Sequence, residues 1–277
     1  MITLPELTIY ISHTCDLACD KCFTYNNLNW GKHFRKDDSV NVLKDAVDFN
    51  EIFLLGGEPL LNPHLLEWMT WVEQLWPDSN KWIVTNGRQL DKLPSNWENN
   101  WKLEISAHSV TDLQTILDWA DNNSITYSKF YNDRHTDAKW HYRLLLGDTV
   151  VGELSEAWHF FDTPVILENN KPIRWTKLHN KEEQHNICPA KECMHLLNGR
   201  FYRCPQQAIL PQLSSKFKIE EPFKSIAEDD VGCDPKEFLE WVTSKDVPQA
   251  QCQLCNWSQK IKLPVKSKVK KIKVTQL

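Results

Sequence analysis

Three cysteines crowd the stretch His13-Thr14-Cys15-Asp16-Leu17-Ala18-Cys19-Asp20-Lys21-Cys22-Phe23, at the spacing C-x3-C-x2-C. Thiolate is the ligand that iron–sulfur clusters require, and these three can hold three corners of one [4Fe–4S] cluster. The fourth iron then has no protein ligand. A substrate or cofactor can bind there, much as a catalytic zinc site keeps one position open. The same residue types also suit a zinc knuckle or separate buried thiols.

The other six cysteines come late: Cys188, Cys193, Cys204, Cys233, Cys252 and Cys255. Asn198-Gly199, set between Leu196-Leu197 and Phe201-Tyr202, is a hairpin signal that would bring Cys188 and Cys204 together. Cys252-Gln253-Leu254-Cys255 is a C-x2-C pair, and two such pairs make a four-thiolate site. Sulfur ligands alone do not separate zinc from iron–sulfur there. Cys193 and Cys233 are left over, either as buried apolar thiols or as replacements for one of the four.

Short apolar or β-branched runs predict strands over Leu7–Ser12, Glu51–Leu55, Lys81–Thr85, Lys102–Ser106 and Ile125–Phe130. Helical spacing joins Leu65, Leu66, Trp68, Met69, Val72 and Leu75, with Pro77 beyond the stop. A second helical face joins Leu113, Ile116, Leu117 and Ala120, ended by Asn122-Asn123. Asp37-Asp38-Ser39 offers caps for a third helix through Val40, Leu43, Ala46 and Val47. Such βα alternation implies a parallel sheet with helices outside it, joined by right-handed crossovers.

In such folds the chemistry collects after the strands. The cysteine stretch follows the first strand. Gly56-Gly57-Glu58-Pro59 follows the second, where glycines allow close backbone approach and Glu58 offers an acceptor for an ammonium group. Thr85-Asn86-Gly87 follows the third, and it also reads as a plain Asn-Gly turn. The fourth ends in Ser106-Ala107-His108-Ser109. His108 is either a substrate-side base or a partly buried histidine with a satisfied ring. Ser106, His108 and Arg143 are the candidates for a substrate chamber. Pro164–Glu168 reads as a last strand, and His135, His141 and Tyr142 as polar wall or surface.

The cysteine spacing resembles the signature of the radical S-adenosylmethionine enzymes. Gly56-Gly57-Glu58-Pro59 is similar to that family's GGEP motif, and Thr85-Asn86-Gly87 to its T-N-G. The family's aromatic residue before the third cysteine is Lys21 here, with Phe23 just after it. The resemblance implies an α/β fold: an open, partial (β/α)6 TIM-like barrel over residues 1–180. It implies that the open iron of the Cys15/Cys19/Cys22 cluster chelates S-adenosylmethionine. An electron then cleaves the sulfonium, and a 5′-deoxyadenosyl radical abstracts hydrogen from the substrate. Phe23, Gly56, Gly57, Glu58, Pro59, Thr85, Asn86 and Ser106 would hold the cofactor.

The late pattern C-x10-G-x4-C, a gap, then C-x2-C resembles the Twitch domain, the shortened SPASM domain. It implies a small cysteine-rich unit over 181–260, with an auxiliary [4Fe–4S] cluster on Cys188, Cys204, Cys252 and Cys255. Residues 261–277 form a lysine-rich tail, read as solvated. The resemblance further implies a flavodoxin- or ferredoxin-type electron donor. The substrate is a peptide or protein, or alternatively a small-molecule alcohol undergoing oxidation. A rival of another class is a non-catalytic zinc-binding interaction module.

Composition narrows the classes. With 41% apolar and 25% charged residues, the chain is that of a globular protein. A net charge of −5 gives no general affinity for nucleic acid. No apolar run approaches the ~18 residues of a membrane span, and Met1–Glu6 lacks the basic and apolar regions of a signal peptide. A cytoplasmic setting is expected, where thiols stay reduced. Nine cysteines, an odd number, then argue for metal ligation over disulfides. The thirteen tryptophans are read as core or pocket wall.

Overall fold

The computed structural model describes residues 1–19, 22–28, 31–130, 141–156, 175, 177–188, 190–191, 193–229, 232–244 and 247–255. Asp20, Lys21, His135, the strand candidate Pro164–Glu168 and the lysine-rich tail lie outside the described residues.

Among the described residues nine strands form one mixed sheet: β1 Ile2–Ser12, β2 Val47–Gly56, β3 Asn80–Thr85, β4 Trp101–Ala107, β5 Thr126–Lys129, β6 His141–Leu146, β7 Thr149–Glu156, β8 Cys193–Leu197 and β9 Arg200–Tyr202. Their spatial order is β5-β6-β7-β4-β3-β2-β1-β8-β9. The run β7-β4-β3-β2-β1-β8 is parallel throughout. The pairs β5–β6, β6–β7 and β8–β9 are antiparallel.

The first four predicted strands are present and parallel. The fifth, over Ile125–Phe130, corrects the expectation: it is an antiparallel edge strand, and β7 takes the place beside β4. A tight turn at Gly147, with φ 58°, folds β6 back onto β7 and makes this arrangement possible. Asp37 caps as expected, its Oδ1 accepting from Ser39 N at 2.9 Å. It starts a 3-10 turn over Asp38–Leu43 rather than an α-helix, because Val47 already begins β2. Residue 180 is no boundary of the sheet, since β8 pairs with β1. The hairpin at Asn198-Gly199 is present. Both residues have left-handed φ, 52° and 73°, as two-residue hairpin turns demand.

Period-two burial gives the sheet two faces. Leu7, Ile9, Ile52, Leu54, Ile83, Leu103 and Ile105 are buried on one. They share a core with Trp68 and Val72 of α1 (Leu65–Leu75) and Ile116 and Ala120 of α2 (Val110–Asn122). Each large aliphatic side chain buried there contributes about 1.5–3 kcal/mol. Trp68, Trp71, Trp76 and Trp101 join the same core. The opposite face carries Tyr10, Phe53 and Trp82 on β1–β3 and turns polar across β4, β7 and β6. Register aligns Ser106, Ser155 and His141 in one row across β4, β7 and β6, and Glu104, Glu153 and Arg143 in the next.

Helix α2 begins where Ser109 can cap it. Ser109 Oγ accepts from Asp112 N at 3.0 Å and donates to Asp112 Oδ2 at 2.8 Å, a reciprocal cap of the kind that fixes helix starts. Among the described residues four further helices follow late in the chain: α3 Lys181–Asn186, α4 Pro205–Lys216, α5 Phe223–Ala227 and α6 Phe238–Thr243. Among the described residues no helix is long and apolar enough to cross a membrane.

Candidate iron–sulfur site

The loops that leave β1, β2, β3 and β4 meet at one end of the sheet. The cysteine loop and the Gly56-Gly57-Glu58-Pro59 turn are joined through backbone. Gly57 N donates to Ser12 O at 2.7 Å, and Glu58 N to Thr14 O at 2.9 Å. A Cβ on Gly57 would lie 2.2 Å from Thr14 O and 3.0 Å from Cys15 Cβ, and one on Gly56 would lie 2.0 Å from Ser12 O. Only glycine lets the turn approach this closely. Thr24 Oγ1 adds a third link, donating to Gly56 O at 3.2 Å while lying 3.1 Å from Cys22 Sγ.

Cys15, Cys19 and Cys22 are all half-buried. Burial raises the Cys15 thiol well above its ordinary value. The Leu17 N–H opposes this, while Cys22, Glu58 and Asp16 add to it. Without a cation Cys15 therefore holds its proton at neutral pH, so binding a metal centre there releases one. Cys19 Sγ lies 3.4 Å from His108 Nδ1. This places His108 against the cysteine loop.

Glu58 is wholly buried, and its carboxylate faces inward. It accepts from Leu60 N at 3.0 Å, Thr85 Oγ1 at 2.7 Å and Asn86 N at 2.8 Å. It thereby caps the 3-10 turn Pro59–Leu61 and ties the β2 loop to the β3 loop. Desolvation raises its pKa to about 7 against those three donors. Three of the acceptor positions of the Glu58 carboxylate are thus taken by its own scaffold. Thr85 and Asn86 likewise serve the frame. Asn86 Nδ2 donates to Asp16 Oδ1 at 2.7 Å, and Gln89 Nε2 to Asp16 Oδ2 at 3.1 Å. Arg88 completes the ring of loops with two bonds to Asp112, at 2.8 and 3.2 Å.

Ser106 lies half-buried on the polar face of β4. Arg143 stands two strands away on β6, its guanidinium carbon 3.9 Å from the centre of the Phe130 ring. The structure thus places His108 beside the cysteines, and Ser106 and Arg143 in successive rows of the polar face. Phe23 packs, half-buried, against the core. Sequence reading missed Asp16, Thr24 and the Arg88–Asp112 pair. An acidic residue inside the cysteine loop was the available signal for the first.

The late cysteines also converge. Cys188, Cys204, Cys252 and Cys255 line one cavity, between α3, the start of α4 and the 3-10 turn Ala250–Leu254. Burial pushes the Cys204 thiol up to about 12. The Gln207 and Gln206 backbone N–H groups pull it down, and Cys252 and Cys188 raise it further. Cys193 begins β8, and Cys233 pairs with Phe201 through two 2.9 Å backbone bonds. Neither lines the cavity. No three His, Cys, Asp or Glu side chains among the described residues are spaced to hold a single metal ion.

Residues 6–122 match the 4Fe-4S single cluster domain. The matched stretch runs from within β1 to the end of α2 and contains Cys15, Cys19, Cys22 and all four loops. Solved structures similar to the chain include histidine-tagged "anSMEcpe with bound AdoMet", at 17% identity over 44% of this chain and 41% of that one, TM-score 0.33. Another is "BtrN in complex with AdoMet and 2-DOIA", at 17% over 42% and 51%, TM-score 0.29. A third is Streptococcus suis SuiB bound to precursor peptide SuiA, at 15% over 92% and 70%, TM-score 0.36. The matches to anSMEcpe and BtrN span about half the length of those proteins or less. No curated protein matches the sequence.

Proposed function

We propose that the chain is a radical S-adenosylmethionine enzyme. Cys15, Cys19 and Cys22 would hold a [4Fe–4S] cluster with one iron left for S-adenosylmethionine. When bound, the pair supplies a one-electron cleavage of the sulfonium, yielding a 5′-deoxyadenosyl radical that takes hydrogen from the substrate. The observation that carries this reading is the glycine cradle, in which Gly57 lies so close to the Thr14 backbone, next to Cys15, that no Cβ fits. The backbone of Gly56 and Gly57 meets the cofactor there, while Glu58, Thr85, Asn86 and Asp16 hold the cradle rigid. Phe23, Pro59 and Ser106 flank it. The protein's task is placement and exclusion of water, and the cofactor carries the hard chemistry.

Cys188, Cys204, Cys252 and Cys255 hold an auxiliary [4Fe–4S] cluster in a Twitch-like unit, and the six parallel strands serve as an open, partial (β/α)6 barrel. The substrate is a peptide or protein side chain or backbone. A second reading, oxidation of a small-molecule alcohol, is favoured by the compact polar rows of Ser106, Ser155 and His141 and of Glu104, Glu153 and Arg143. A flavodoxin- or ferredoxin-type protein supplies the electron, in a cytoplasmic setting that keeps the thiols reduced.

Anaerobic metal analysis tests the proposal. About eight iron per chain is expected for two [4Fe–4S] clusters. Stoichiometric zinc in place of iron would establish the interaction-module reading. The Cys19→Ala variant should no longer form 5′-deoxyadenosine from S-adenosylmethionine, and continued formation would exclude the assignment.

A further inference from the structure

Tyr25 and Gln206 connect the two cysteine sites. Tyr25 follows Cys22 by three residues, and its N–H donates to Cys22 O at 3.0 Å. Its backbone is left-handed, φ 55°, and its side chain is buried beside Trp175, the rings edge to face at 6.2 Å. The Tyr25 hydroxyl donates to Gln206 Oε1. Gln206 lies in the first turn of α4, two residues after Cys204, and lines the cavity of Cys188, Cys204, Cys252 and Cys255.

The other end of this amide is an orphan. Gln206 is 1% exposed, and among the described residues its Nε2 has no hydrogen-bond partner. A buried donor left so costs about 1–3 kcal/mol, and such a group in a native structure asks for an explanation. The Tyr25 hydroxyl holds Oε1, which turns Nε2 away from the tyrosine. The reverse orientation would set a carbonyl oxygen among thiolates, and the field of four such sulfurs disfavours it.

On the reading that these four cysteines hold an auxiliary [4Fe–4S] cluster, we propose that Gln206 is a redox-tuning residue: its side-chain amide, oriented by Tyr25, donates a hydrogen bond to a sulfur of that cluster. Hydrogen bonds to sulfur are among the factors that set cluster potential. They stabilise the more negative, reduced state and so raise the potential. Tyr25 is the positioning residue of the pair. Through it, the loop that carries the first cluster sets the electron affinity of the second.

The test is a redox titration of the anaerobically purified full chain, followed by electron paramagnetic resonance, for the wild type, Gln206→Leu and Tyr25→Phe. Leucine fills the volume without a donor. Phenylalanine keeps the ring but frees the amide to turn. Iron content is measured on each preparation. The auxiliary cluster is expected to move to more negative potential in both variants, further in Gln206→Leu, at unchanged iron content. The Cys15/Cys19/Cys22 cluster should keep its potential in Gln206→Leu. An auxiliary potential equal to that of the wild type in Gln206→Leu overturns the proposal and leaves the two-cluster reading standing. A wild-type protein with only one cluster signal overturns both.

Discussion

Asp16 and Asn86 meet across the candidate site, the Asn86 amide donating to the Asp16 carboxylate at 2.7 Å. Seventy positions separate them in the chain, and the bond fastens the cysteine loop to the loop after β3. Hydrogen bonds to a charged group are worth about 1.5–3 kcal/mol. Asn86→Ala should therefore destabilise the chain by at least roughly that amount, since it also removes the Oδ1 that accepts from Arg88 N at 2.9 Å, while the Asn86 N–H to Glu58 is backbone and survives. Anaerobic urea denaturation measures it. A loss below about 0.5 kcal/mol, the level of an ordinary surface change, would mean that the bond does not fasten the loop.

Gly57→Ala is expected to remove the first cluster without unfolding the sheet. The added Cβ would press on Thr14 O at 2.2 Å, and backbone cannot yield there without moving Cys15. Iron should fall from about eight to about four per chain, with far-ultraviolet circular dichroism unchanged. Retention of the full iron complement would show that the cradle is loose.

Glu58 should leave a signature in the pH dependence of stability. Its folded pKa is raised to about 7 from 4.5, so between those values the native state holds a proton that the unfolded chain has lost. Stability then falls as pH rises through this window, by up to ~3 kcal/mol, and levels off above it. Glu58→Gln cannot titrate. The stability of the wild type relative to the variant should fall by up to ~3 kcal/mol between pH 5 and pH 8. A gap constant over that range would place the Glu58 pKa near its ordinary value.

The candidate site was legible where local spacing reports it. C-x3-C-x2-C, the double glycine and the Asn-Gly turn each sit after a strand with clear apolar content, and the four strands formed as their patterns dictate. The hairpin at Asn198-Gly199 was legible for the same reason, because φ > 0 at both positions selects those residues. The β6–β7 hairpin was not read. Its strands mix Arg143, Glu153 and Glu156 with aliphatic residues, since one face is polar, and this blurs the apolar run. The role of Glu58 was also out of reach. Whether a carboxylate faces a ligand or its own scaffold depends on Thr85 and Asn86, which are 27 and 28 positions away. Long-range pairs such as Tyr25 with Gln206, 181 positions apart, leave no trace in spacing.

The central claim is an iron at the Cys15/Cys19/Cys22 site that the polypeptide leaves to S-adenosylmethionine. Electron paramagnetic resonance of the dithionite-reduced Cys252→Ala/Cys255→Ala protein, recorded with and without S-adenosylmethionine, tests it most directly. The account predicts a reduced [4Fe–4S] signal whose g values shift when the cofactor is added. A four-iron signal that the cofactor leaves unmoved, or no such signal, would contradict it.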